Sequence, residues 1–366
     1  MMLHTLVLSA APLLQAPAQD PIELRFDPPV GSALTITATE SHDLLMESLL
    51  TTRGGGKAIP ANIDLRLRSR LETVIADLHA DDAGRLRRRY MDLSGRLEMV
   101  DPDSVNEATG EWKGDVLELS SPFKDLSVAF QPAASQPGGF GRHFDGRTLR
   151  ESFLPVLEAP FDWGRFLALP AGRASRAVTL GDRWELPPEV LQPLLAPSGF
   201  LAWRGEEDAD AQILRAFDCG VAGNMYIGFD GDVSGKVEAQ VKEIGGDSPE
   251  ALFVELEIAV DVTLRSDRSS FIKENRIEAE TVEQVQTLGA RLSVRVKGGV
   301  RLRWSVADQV PLGAFALCDE VAELAVQILP PEGEQVEQRI RLAGGLANQL
   351  TFRQSPLEAP MRTEGR

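Results

Sequence analysis

Apolar and polar residues alternate with period two along much of the chain. In IDLRLRSRLETVI, Ile63, Leu65, Leu67, Leu71 and Ile75 fall on one face, and Asp64, Arg66, Arg68, Arg70 and Glu72 fall on the other. LFVELEIAVDVTL repeats the pattern, with Leu252, Val254, Leu256, Ile258, Val260, Val262 and Leu264 in phase. Such a run predicts a long strand with one buried and one wetter face. One wet face favours antiparallel pairing, because parallel sheets bury both faces. In RLSVRVKGGVRLRWSV, residues 291–306, the apolar set keeps one phase across Gly298 and Gly299. Two arrangements preserve that phase: a hairpin with a three-residue Lys-Gly-Gly loop, and a single long strand kinked at the glycines.

Other segments break the alternation. QPAASQPGGFGRHFDGR, 131–147, reads as a loop or linker rich in Pro, Gly and Ser. The next stretch predicts two short helical pieces interrupted by Pro155 and Pro160, and PPEVLQPLL, 187–195, predicts another turn of helix with a proline near its first position. In LCDEVAELAVQIL, Leu317, Val321, Leu324 and Ile328 follow helical spacing, but the segment sits within a run of strands, so a bulged strand is expected. SGRLEM at 94–99 is echoed by SGKVEA at 234–239, which hints at internal duplication. The expected fold is therefore mainly β: long antiparallel amphipathic strands in one or two curved sheets, half-barrel or barrel-like, with short helices in the middle packed on a concave apolar face. The corresponding divisions are a signal peptide at 1–18, an N-terminal β half at 19–130, a linker with short helices at 131–200, and a C-terminal β half at 201–366.

The N-terminal assignment rests on MMLHTLVLSAAPLLQAPA, whose apolar run from Leu3 to Leu14 precedes Ala16-Pro17-Ala18, the small residues a signal peptidase accepts. The run is too short for a membrane helix, and no later segment reaches that length. The chain is thus expected to be exported, periplasmic or extracellular, with no membrane span once the signal is removed. That peptide carries no charged residue, so the mature chain keeps the formal charge of −17, which disfavours nucleic acid and anionic headgroups. The basic run GRLRRRY at 84–90 reads as a solvated strand face or a protected sheet edge. Export also leaves two states open for Cys219 and Cys318, a disulfide or two buried thiols.

Motifs that would carry chemistry are sparse. In TLGDRWELP, 179–187, Gly181-Asp182 is a turn signal and Trp184 begins a strand that Pro187 ends. Together with LRFDPPVGSALTITATES, this stretch resembles secreted β-rich domains of unknown function from planctomycete-type bacteria, which pair an early glycine-led strand with a later GD-x-W strand. The resemblance implies export and β architecture and transfers no catalytic residue. DGDVSG, 230–235, places Asp230, Asp232 and Ser234 at calcium-ligand spacing with Gly235 at the turn. A calcium loop needs an acidic residue where Val241 stands, with only Glu238 as a substitute, so a tight hairpin turn is expected.

The mature histidines His42, His79 and His143 have no nucleophile beside them in an elbow motif, and phosphate-binding glycine motifs are missing. No catalytic, cofactor-binding or metal-binding residue is assigned, and no cofactor is expected. The expected function is a non-catalytic binding module for an apolar small molecule or lipid. The alternative is a structural module of the cell envelope that meets an envelope protein. A hydrolase using a carboxylate pair assembled by folding is the second alternative.

Overall fold

In chain order the strands are β1 (Ile22–Arg25), β2 (Ser32–Arg53), β3 (Ala58–Ala61), β4 (Arg66–His79), β5 (Leu86–Val105), β6 (Trp112–Ser120), β7 (Ser127–Pro132) and β8 (Phe140–Phe144). They continue as β9 (Ser175–Val178), β10 (Arg183–Glu185), β11 (Arg204–Gly205), β12 (Asp232–Gly245), β13 (Phe253–Asp267), β14 (Gln286–Ser305), β15 (Val310–Leu329) and β16 (Val336–Pro356). One short helix, α1 (Gln192–Leu195), follows a 3-10 turn at Pro188–Leu191. The computed structural model describes residues 20–28, 30–53, 58–61, 65–79, 86–105, 112–121, 123–132, 140–144, 175–197, 204–205, 229, 231–269, 286–329 and 334–356. The N-terminal segment 1–19 and residues 145–174, where the signal and two helical pieces are expected, lie outside them.

Among the described residues, 14 strands form one antiparallel sheet in the order β10-β12-β13-β14-β15-β16-β2-β4-β5-β6-β11, without closing, while β3, β7 and β8 pair off this path. β1 and β9 form a separate antiparallel pair. The expectation of long antiparallel amphipathic strands holds. A strand such as β14, with 20 residues, reaches about 65 Å at the usual rise of about 3.3 Å per residue. C-terminal and N-terminal strands share one ladder, because β16 pairs with β2 from Pro356↔Ser32 to Val336↔Arg53.

Alternation explains both faces. On β13, Val254, Leu256, Ile258, Val260, Val262 and Leu264 are 0–3% exposed, and on β14 Leu292, Val294, Val296, Val300, Leu302 and Trp304 are 0–1% exposed. The opposite face of β14 carries Arg291, Arg295, Lys297, Arg301 and Arg303. Ion pairs lace that wet face, including Arg295–Asp261 at 3.2 Å, Lys242–Glu257 at 2.6 Å, and Arg341–Glu47.

The two arrangements open at Gly298-Gly299 resolve to a single strand. Gly298 pairs with Val260 on one side and Cys318 on the other, so β14 runs unbroken between two long neighbours. A Cβ at Gly298 would stand 2.4 Å from the Leu317 carbonyl oxygen, which explains the glycine by close backbone approach. The ambiguous 317–329 segment is strand, as expected, but without a bulge there: its register with β16 is continuous from Gly313 to Ile328. The helical stripe does not share a face, since Leu317 is 61% exposed and Leu324 is buried.

Two further expectations need correction. Asp232 and Ser234 are not in a hairpin turn but in β12, opposite Arg265 and Thr263. Val241 is buried opposite Leu256, and Asp230 lies outside the described residues. The basic run does not simply face solvent. β5 lies inside the sheet, and Arg88 donates two hydrogen bonds of 2.7 Å each to the buried Asp77. Burial opposes the Arg88 charge, but the Asp77 carboxylate outweighs it and keeps the guanidinium protonated. TLGDRWELP behaves as expected: Gly181 has φ +90°, Asp182 accepts from the Thr179 amide at 2.7 Å, and Trp184 is buried on β10 under the Arg176 guanidinium.

Candidate functional site

On β2 the inward phase runs Leu34, Ile36, Ala38, Glu40, His42, Leu44, Met46, so an acid and an imidazole interrupt an apolar face. On β15 the inward phase is Ala314, Ala316, Cys318, Glu320, Ala322, Leu324. One strand, β16, separates them. Its Leu346 pairs with both His42 and Cys318, and its Gly344 pairs with Leu44 and Glu320. Gly344 has no side chain to stand between the diagonal partners, and a Cβ there would lie 1.9 Å from the Asp43 carbonyl oxygen.

The result is a buried ionic triad. His42 Nδ1 lies 2.7 Å from Glu320 Oε2 and Nε2 lies 3.1 Å from Glu40 Oε1, with all three residues at most 3% exposed. Burial disfavours the imidazolium, but the Glu320 charge and hydrogen bond, joined by those of Glu40, raise its pKa from 6.5 to about 10. At neutral pH the ring is charged and donates from both nitrogens.

Other polar groups share this inner patch. Ser69 is directly opposite His42 on β4, and Asn348 on β16 is directly opposite Glu40. Asn348 Nδ2 donates to the Leu194 and Leu195 carbonyls at 3.0 and 2.7 Å, tying α1 to the buried face of the sheet. Among the described residues, Glu320 Oε1, Asn348 Oδ1, Ser69 Oγ and Thr73 Oγ1 are buried with no hydrogen-bond partner. Cys318 is a free thiol whose burial pushes its pKa to about 11, which makes it unreactive. Its proposed partner Cys219 lies outside the described residues, as do the side chains of His79 and His143.

This geometry does not support base catalysis. Both His42 nitrogens are held by carboxylates, and no solvent path reaches the ring at 0% side-chain exposure. Glu40 and Glu320 are brought together by folding, but around a histidine rather than across a cleft. What the patch can do is clamp three strands and present unpaired acceptors within an apolar wall. Among the described residues, two clefts open beside charged side chains instead. One, about 670 Å³, is lined by Arg265, Arg291, Glu323 and Arg339, and the other, about 530 Å³, by Arg301, Arg303 and Phe315. Among the described residues no group of three or more His, Cys, Asp or Glu could hold a metal ion.

Glu40 was legible as a polar residue on the apolar phase of β2, whereas Glu320 sits in a segment whose spacing is mixed. Their meeting across β16 was not legible.

No family model matches the chain. No curated protein matches it either. Among solved structures, an outer-membrane channel from Pseudomonas putida F1 is similar at 10% identity, covering 90% of this chain and 98% of that one, with a TM-score of 0.16. The secretin β-barrel domain of the Salmonella SPI-1 injectisome gives 9% identity, 94% and 66% coverage, and a TM-score of 0.12. A FadL homologue from Pseudomonas aeruginosa gives 8% identity, 90% and 91% coverage, and a TM-score of 0.16. At such scores these likenesses carry no argument about what the chain does.

Proposed function

We propose that the protein is an exported, non-catalytic β module that binds an apolar or lipid-like ligand against the inner face of its sheet. The observation that carries the reading is the composition of that face: an extended apolar wall broken around Asn348 by small side chains and acceptors without partners among the described residues. Ligand sites are built this way, with apolar walls for affinity and a few convergent polar groups for orientation. The wet face argues for a module bathed in water. Basic residues on the outward phase of β14 would each cost about 2–4 kcal/mol against lipid at the bilayer midplane, and Arg291, Arg295, Lys297, Arg301 and Arg303 occupy such positions.

A second reading, a structural or protein-interaction module of the envelope, is favoured by one observation. The inner side chains of β13 and β14 have 0–3% accessible surface, so no water-sized void touches them in this state. Native mass spectrometry of protein purified from its own host separates the two. A mass excess that organic extraction removes, and that is identified as a lipid-like molecule, is the expected result. A bare mass, together with no uptake of a neutral apolar fluorophore, would leave the structural reading standing.

A further inference from the structure

The inner face is closed at β13 and β14, so an apolar ligand has to displace something. We propose that the segment Pro188–Ala196 is a displaceable plug seated on the ligand site, an inference that rests on the apolar-ligand reading. The site beneath it is the inner-face patch around Asn348, which lies opposite Ala316 and Glu40, and where Ala38, Ala314, Ala316 and Cys318 present small buried side chains.

Three observations converge on this segment. First, α1 packs on β15 and β16 with Leu194 and Leu195 fully buried, and the preceding turn packs on β12 with Leu191 fully buried. Second, a helix of four residues has no stability of its own, so its conformation depends on being seated. Its terminal carbonyls are the orphan acceptors of a helix end, and Asn348 donates to two of them, those of Leu194 and Leu195.

Third, the seated plug satisfies the Asn348 donors but not the oxygens around them. Among the described residues, Asn348 Oδ1 and Glu320 Oε1, at most 1% exposed by residue, accept from nothing, and the Ser69 and Thr73 hydroxyls have no partner. Buried acceptors without donors are costly. A ligand with an apolar body and one N–H or O–H group would replace the apolar burial of α1 and supply the missing donor. Exchange of plug for ligand is then close to balanced, which is what a reversible carrier site needs.

The test uses the full chain and N-phenyl-1-naphthylamine, a neutral apolar fluorophore with one N–H. Hydrogen exchange is measured with and without the probe, and probe affinity is titrated for the parent and for Asn348→Ala. The expected result is that probe binding speeds exchange at 188–196 while β13 and β14 stay protected. Asn348→Ala should speed it without probe and tighten probe binding about 10-fold, because the closed state loses two hydrogen bonds while Glu320 Oε1 remains to accept from the probe N–H. Binding to the variant alone would also support the plug. Binding to the parent with 188–196 unchanged would overturn the plug and leave the ligand reading intact. Failure of both chains to bind would overturn both. If Asn348→Ala does not fold, the parent exchange comparison decides.

Discussion

At His42 one imidazolium and two carboxylates are buried together, and removal of one member matters more than the sum of contacts suggests. Breaking a buried ion pair leaves an uncompensated charge and costs about 3–5 kcal/mol, whereas exposed pairs are worth about 0–1 kcal/mol. His42→Leu leaves Glu40 and Glu320 facing each other without a counter-charge. It should therefore destabilise the fold by several kcal/mol in urea unfolding at pH 7, while the exposed Lys242–Glu257 pair should be nearly silent on removal. The pH dependence has a definite sign. The folded pKa of His42, about 10, lies above its ordinary 6.5, so its contribution is complete below about 6.5 and is lost as pH rises toward 10. The urea midpoint of the parent should fall across that window, and His42→Leu should lack that part of the slope. A parent midpoint flat from pH 7 to 10 would contradict the buried imidazolium.

At the level of elements, the adjacent glycines of β14 make unequal demands. A Cβ at Gly298 meets the Leu317 carbonyl oxygen at 2.4 Å and the Cys318 Cα at 2.6 Å, whereas at Gly299 the nearest atom is the Ile258 carbonyl oxygen at 3.6 Å. Backbone cannot swing aside as a side-chain end can. Gly298→Ala should cost about 1–3 kcal/mol by overpacking. Gly299→Ala should be neutral or slightly stabilising, because a glycine in a strand interior is unfavourable and space is available. Thermal melts of the two variants compare these directly. Equal losses would mean that strand entropy, not close approach, placed the glycines.

For the whole molecule, the β16–β2 ladder joins the two ends of the described chain in one sheet, with Glu320 reaching over β16 to His42 as a tie across that seam. Such a ladder forms only after long loop closure, whereas β12 to β16 and β4 to β6 each pair with the strand next in sequence. Export belongs to the same scale. The apolar run and Ala16-Pro17-Ala18 predict a mature chain that begins near Gln19. N-terminal sequencing of the abundant form from its host should read Gln-Asp-Pro, and Met1 there would end the export reading.

Alternation along the chain determined by itself that the protein is built of long strands with one apolar and one charged face, because side-chain period is a local property of the backbone. It also placed the turn at Gly181-Asp182 and the strand that carries Trp184, since turn chemistry is local as well, although Trp184 is buried rather than half-buried. Tertiary structure alone decided that Gly298-Gly299 lies within one strand, because the choice depended on which chains flank it. It alone paired Asp77 with Arg88, and brought Glu320 to His42 from 278 residues away. Period two tells which face a residue takes but not which strand lies beside it. That neighbour is set by register between distant segments, and a buried charge finds its partner only when the register is made.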